Sequence, residues 1–107
     1  MSKQINSVQD FADTVKQDGT VLVDFWAAWC GPCRRLSQEL DKVQEQVGDK
    51  LTIAKVNVDE QQELAAFYKV TSIPMMLVFK DGKPVDQLVG ARPAARLMSD
   101  LQPHLAA

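Results

Sequence analysis

Apolar positions recur at two periods along this chain, and the changes of period mark its elements. Ser7 followed by Asp10 resembles a helix start, and Val8, Phe11, Ala12 and Val15 share one helical face before Asp18-Gly19 ends the pattern. Residues 21–28 form a nearly continuous apolar run rich in β-branched and aromatic side chains, as in a strand covered on both sides. Helical spacing then returns through Leu36, Leu40, Val43 and Val47 and stops at Gly48. Residues 51–58 read as a second buried strand, and 59–69 as a short helix built on Leu64, Ala65 and Tyr68. Two further runs, 76–80 and 85–89, flank Asp81-Gly82, a strong hairpin signal. Pro93 suits a first helical position, and Leu97, Leu101 and Leu105 mark a closing helix whose last turn Pro103 should fray or bend. The order βαβα, then a hairpin and a helix, predicts an α/β fold. A mixed central sheet of four to five strands should carry helices on both faces, making three layers.

Composition narrows the function. At 107 residues the chain suits one domain, residues 1–107, with a single core. The formal charge is -2, and Lys3, Lys16, Lys42, Lys50 and Lys83 are scattered among acids, which leaves no footprint for nucleic acid or an anionic membrane. Residues 21–29 are too short for a membrane helix and contain Asp24. Residues 1–11 lack the apolar core of a secretory signal. A soluble, cytoplasmic protein is expected, monomeric and without nucleic-acid or membrane partners.

The chemistry lies in Cys30 and Cys33, the only cysteines in the chain, separated by Gly31 and Pro32. A bridge between them closes so short a loop that it restricts the unfolded chain very little, so reactivity explains the pair better than stapling. In a reducing compartment such a pair is catalytic or metal-binding. Zinc normally needs four ligands, and the only other soft ligand is His104, best read as tail, so the redox reading is preferred. The thiolate is the nucleophile, and Cys30 sits where a helix begins, where spare N–H groups and the helix dipole favour an anion. Cys33, one turn further in and more buried, would resolve the mixed disulfide that Cys30 forms. Gly31 lets another chain approach, Pro32 fixes a backbone angle where a donor is spare, and Trp29 offers a flat apolar surface. Asp24, embedded in Val-Leu-Val-Asp-Phe-Trp, should be buried with a raised pKa and is the candidate acceptor of the Cys33 proton. Lys55, in the neighbouring predicted strand, would partly offset that rise. Phe25 and Trp26 read as core, and Arg34 and Arg35 as a solvated helix face.

Trp29-Cys30-Gly31-Pro32-Cys33 after a strand carrying Asp24, with Ile73-Pro74 later, resembles the thioredoxin family. The likeness runs essentially the whole length, through Phe25-Trp26-Ala27, Lys55-Val56-Asn57-Val58-Asp59, Phe79-Lys80-Asp81-Gly82 and Val89-Gly90-Ala91. It implies a thioredoxin fold and general reduction of disulfide-containing protein substrates. It also implies no bound cofactor and recycling by a flavin-containing thioredoxin reductase that draws electrons from NADPH. The glycines at 19, 31, 48, 82 and 90 form no nucleotide-binding cluster, so NADPH and flavin would act only through that partner. The resemblance further implies a cis Ile73-Pro74 peptide facing the cysteines, and a docking surface of Trp29, Gly31, Pro32, Ile73, Pro74, Gly90 and Ala91. Three positions depart from the family's usual pattern, one of them Pro103, unusual so close to the end of the final helix and expected to affect fraying only. Gln38 stands where many members have proline, so the helix after the motif should be straighter, and Met75 stands where threonine is common. Rival readings are an oxidase or isomerase on the same fold, and a binding module that uses the apolar groove whatever its redox state.

Overall fold

The computed structural model describes residues 2–105. Five strands, β1 (Lys3–Gln4), β2 (Thr20–Trp26), β3 (Leu51–Asn57), β4 (Met75–Lys80) and β5 (Lys83–Val89), form one sheet in the order β1-β3-β2-β4-β5. β1, β3 and β2 are parallel, while β4 runs antiparallel to β2 and β5 antiparallel to β4. Four helices complete it: α1 (Val8–Val15), α2 (Gly31–Val47), α3 (Gln62–Phe67) and α4 (Ala94–Leu105).

The two-residue period of the strands distributes the core. Val21, Val23, Phe25, Ala54, Val56, Leu77 and Phe79 pack with Phe11, Val15 and Leu64 from α1 and α3. Leu22, Ile53, Met76 and Val78 pack with Leu36, Leu40, Val43, Leu97 and Leu101 from α2 and α4. Both faces are covered, which is why β2 lacks polar alternation. Asp24 and Lys55 are Cα partners across β2 and β3 and share the parity of Leu22 and Ile53, so they belong to the α2 face. Leu40 sits in that layer, 1% exposed. Leu40→Ala is expected to cost about 2–5 kcal/mol in chemical denaturation, and a loss below about 1 kcal/mol would show that α2 is not anchored there.

Several boundaries differ from expectation, for local reasons. β1 has no apolar pattern, and its two residues are exposed; it is held by backbone pairing to Ala54 and Lys55, continued by Ile5 N–H donating to Lys55 C=O at 2.8 Å. α3 is shorter than its pattern because Asn57 Oδ1 accepts the N–H groups of Asp59 and Glu60 and holds that stretch as a turn. Pro93 lies just before α4, its carbonyl accepting from Arg96 and Leu97 N–H. α4 continues through Pro103 to Leu105. His104 is not loose tail: its carbonyl accepts from Thr20 Oγ1 and Lys80 Nζ, and its ring lies 3.0 Å from Asp86 Oδ2. α2 is unbroken at Gln38, which is exposed.

Candidate active site

β2 ends at Trp26, and three residues deliver Cys30 to the start of α2. Cys30 is the N-cap: its backbone is extended (φ -92°, ψ 108°), and its Sγ accepts the Cys33 N–H at 3.2 Å. A sulfur thus takes the place that a hydroxyl or carboxylate oxygen fills at most helix starts, where unpaired donors stabilise negative charge. Pro32 falls in the first turn, where its missing donor costs nothing. Cys30 and Cys33 are joined in a disulfide with Cα atoms 5.3 Å apart. The expected difference in burial is absent, at 4% and 3% exposed, because in the oxidised pair both pack with Ala27 against Trp26, Val58 and Ile73. What distinguishes the two sulfurs is their place on the helix.

Behind Cys33 lies a cavity of about 250 Å³ lined by Gln4, Asp24, Trp26, Cys33, Arg34, Ser37 and Lys55. Asp24 is 1% exposed, and among the described residues neither carboxylate oxygen has a hydrogen-bond partner; the Trp26 indole N–H there is likewise unpartnered. Lys55 is nearly buried, but its ammonium donates to Ser37 Oγ rather than to Asp24. Loss of solvation therefore outweighs the lysine's attraction and pushes the Asp24 carboxyl up from 3.8 to about 7. A group so poised can take a proton from a thiol and return it near neutral pH.

On the outer side Trp29 is 69% exposed, with its indole N–H donating to Asp59 Oδ2 at 2.9 Å. Pro32 and Ala91 are exposed, Gly31 and Gly90 half-buried. Ile73-Pro74 is a cis peptide, and Ile73 packs against the cysteine cluster. The Pro74 carbonyl accepts the Gly90 N–H at 2.9 Å, and Gly90 has φ +94°, a conformation that favours glycine. Met75 turns into the α1–α3 side of the core at 3% exposed, so its departure from threonine changes packing. Sequence reasoning did not identify the Trp29–Asp59 bond, the Lys55–Ser37 bond or the Arg34 bond to Ala28 C=O at 2.8 Å. Each joins residues that no periodicity relates. Among the described residues no group of three or more His, Cys, Asp or Glu could hold a metal.

The Thioredoxin family model matches residues 2–103. The chain belongs to the thioredoxin family. It is 48% identical over 88 residues to a thioredoxin of Bacillus subtilis (strain 168), covering 82% of this chain and 85% of that protein. It is also 41% identical over 98 residues to a bifunctional thioredoxin reductase/thioredoxin of Mycobacterium leprae (strain TN), covering 92% of this chain and 21% of that longer protein. The solved thioredoxin of Malassezia sympodialis superposes with a TM-score of 0.89 at 34% identity, over 98% of this chain and 94% of that one. The five-stranded mixed sheet between helices is the thioredoxin fold. The protein is a thiol–disulfide oxidoreductase that reduces protein disulfides through the Cys30–Cys33 pair.

Proposed function

We propose a division of labour within the pair and a route for its substrates. In the reduced protein the Cys30 thiolate attacks one sulfur of a substrate disulfide. The substrate S–S bond breaks, its other sulfur leaves as a thiolate, and a mixed disulfide joins Cys30 to the substrate. Asp24 takes the Cys33 proton, and the Cys33 thiolate attacks Cys30 Sγ. The second substrate sulfur departs, the proton returns through Asp24, and the protein is left with the Cys30–Cys33 bond. Two electrons have passed to the substrate.

One observation carries the assignment: Cys30 Sγ caps α2 through the Cys33 N–H. The unpartnered carboxyl of Asp24 on the Cys33 side of the helix supports the proton route. Lys55 tunes that carboxyl, and Gly31 and Pro32 shape the helix start that sets the pair's redox balance. Trp29, Ile73, Pro74, Gly90 and Ala91 form the docking surface for an extended protein segment around the disulfide. The working form is one monomeric domain, residues 1–107, in the cytoplasm, holding no cofactor and passing electrons on from NADPH. Thioredoxin reductase restores the dithiol, a partnership supported by the Mycobacterium leprae relative that joins both activities in one chain.

The test is insulin-disulfide reduction with thioredoxin reductase and NADPH. NADPH consumption that requires the protein and scales with insulin is expected. Equilibration with glutathione completes the test: a strongly oxidising pair, or no consumption, would point to the oxidase or isomerase reading.

A further inference from the structure

The Gly90-Ala91 loop ends β5, an edge strand whose outward backbone groups have no strand partner among the described residues. Its N–H side is tied to Pro74 through Gly90. Its carbonyl side is held by one side chain. Arg92 Nη2 donates to Val89 C=O at 2.6 Å and Nε to Gly90 C=O at 3.4 Å, while Nη1 donates to Asp100 Oδ2 at 2.8 Å. The Arg92 side chain is only 15% exposed. Asp100 lies on α4, and Arg96, one turn before it on that helix, stands 3.7 Å from the same carboxylate oxygen.

This arrangement depends on local sequence. A residue before proline is pushed to extended backbone, so Pro93 keeps Arg92 out of α4 and lets its side chain turn back along the loop. A guanidinium presents its donors as a rigid planar fork, which a lysine ammonium cannot reproduce. α4 is itself fixed to α2 where it begins, Ala94 N–H donating to Glu39 Oε1 at 2.8 Å. The chain of contacts therefore runs from α2, which carries the cysteines, through Glu39 to the start of α4, and through Asp100 and Arg92 to the loop.

We infer that Arg92 is a positioning residue that fixes the Gly90-Ala91 wall of the docking groove relative to the disulfide. The inference rests on the reading of that wall as part of the groove. Arg92 touches neither sulfur, so its contribution belongs to the capture of protein substrates and not to sulfur exchange. A loop free to wander must be ordered at each encounter, and affinity falls by that ordering cost.

The test compares KM and kcat for a protein disulfide across variants. Arg92→Ala is expected to raise KM about tenfold, equivalent to 1.4 kcal/mol, with kcat changed less than about twofold. Arg92→Lys should stay impaired, since it keeps the charge beside Asp100 but loses the fork. Hydrogen exchange of the Gly90 amide should quicken in Arg92→Ala while amides of Leu97 and Leu101 keep wild-type rates. Should Arg92→Ala fail to fold, Asp100→Ala carries the test by removing the acceptor that ties the guanidinium to α4, with a smaller rise in KM expected. Ala91→Glu, which places a charge in the groove, separates the two ideas. An unchanged KM in Ala91→Glu would refute the groove itself. A raised KM there with normal KM and Gly90 exchange in the Arg92 and Asp100 variants would refute the positioning role alone.

Discussion

Cys30→Ser is expected to abolish disulfide reduction, and Cys33→Ser to halt it after one step with the substrate still attached. The asymmetry follows from the start of α2. Cys30 Sγ accepts the Cys33 N–H and sits at the positive end of a 17-residue helix, so its anion is stabilised before any substrate arrives. A serine hydroxyl in the same place remains protonated near neutral pH, and turnover should fall on the order of a thousandfold or more. In Cys33→Ser the attacking thiolate survives, but nothing expels the substrate. Mass spectrometry should then show a covalent adduct of that variant with a disulfide substrate, cleared by dithiothreitol, and none for Cys30→Ser. An adduct through Cys33 in the Cys30→Ser protein would reverse the assigned roles. The double serine variant addresses the binding-module reading, because biological activity preserved without either sulfur would move the function from redox chemistry to the groove.

Most of the scaffold was legible because burial on both faces leaves a strong mark. The apolar runs of β2, β3 and β4, the helical spacing of Leu36, Leu40, Val43 and Val47, and Asp81-Gly82 between β4 and β5 each lie where local pattern predicts. Asp81 and Gly82 both adopt positive φ, the geometry of a two-residue hairpin turn. Asp24 was legible for the same reason, a lone charge inside a run that must be buried. What escaped notice depends on contacts between distant segments. β1 is two exposed residues held by ladder bonds alone, and such bonds have no side-chain period. His104 is fastened by Thr20, Lys80 and Asp86, from three strands whose approach to the end of α4 only the fold determines. Arg92 reads as an ordinary surface arginine until the Val89 and Gly90 carbonyls and Asp100 are seen around it. The cis Ile73-Pro74 bond lay within reach of the family resemblance only, since spacing alone suggests an ordinary proline at a strand start.

Asp24→Asn is expected to slow resolution of the mixed disulfide about a hundredfold at neutral pH while making the oxidised protein more stable above pH 7. Both effects come from one buried carboxyl with no hydrogen-bond partner and a pKa pushed from 3.8 to about 7. In wild type the resolution rate should rise with pH through about 7, as Asp24 becomes able to accept the Cys33 proton. That limb should vanish in Asp24→Asn. The stability effect has a definite sign. Between 3.8 and about 7 the folded state holds a proton that the unfolded state has released, so wild-type stability falls as pH rises through that window. Below 3.8 both states are protonated and the penalty is absent; above about 7 both are ionised and it is complete, at about 4 kcal/mol. Asparagine does not titrate, so the gain of the variant over wild type should grow by about that amount between pH 3 and pH 8. Comparing the two pH values also cancels any constant cost of burying the amide. The disulfide form suits the measurement because its sulfurs do not titrate. Chemical denaturation from pH 3 to pH 9 should therefore show the difference between variant and wild type levelling off near pH 7, where the NMR titration of the Asp24 carboxyl carbon has its midpoint. A midpoint near 4, with parallel stability curves for wild type and variant, would remove Asp24 from the proton route and leave Cys33 to lose its proton to solvent.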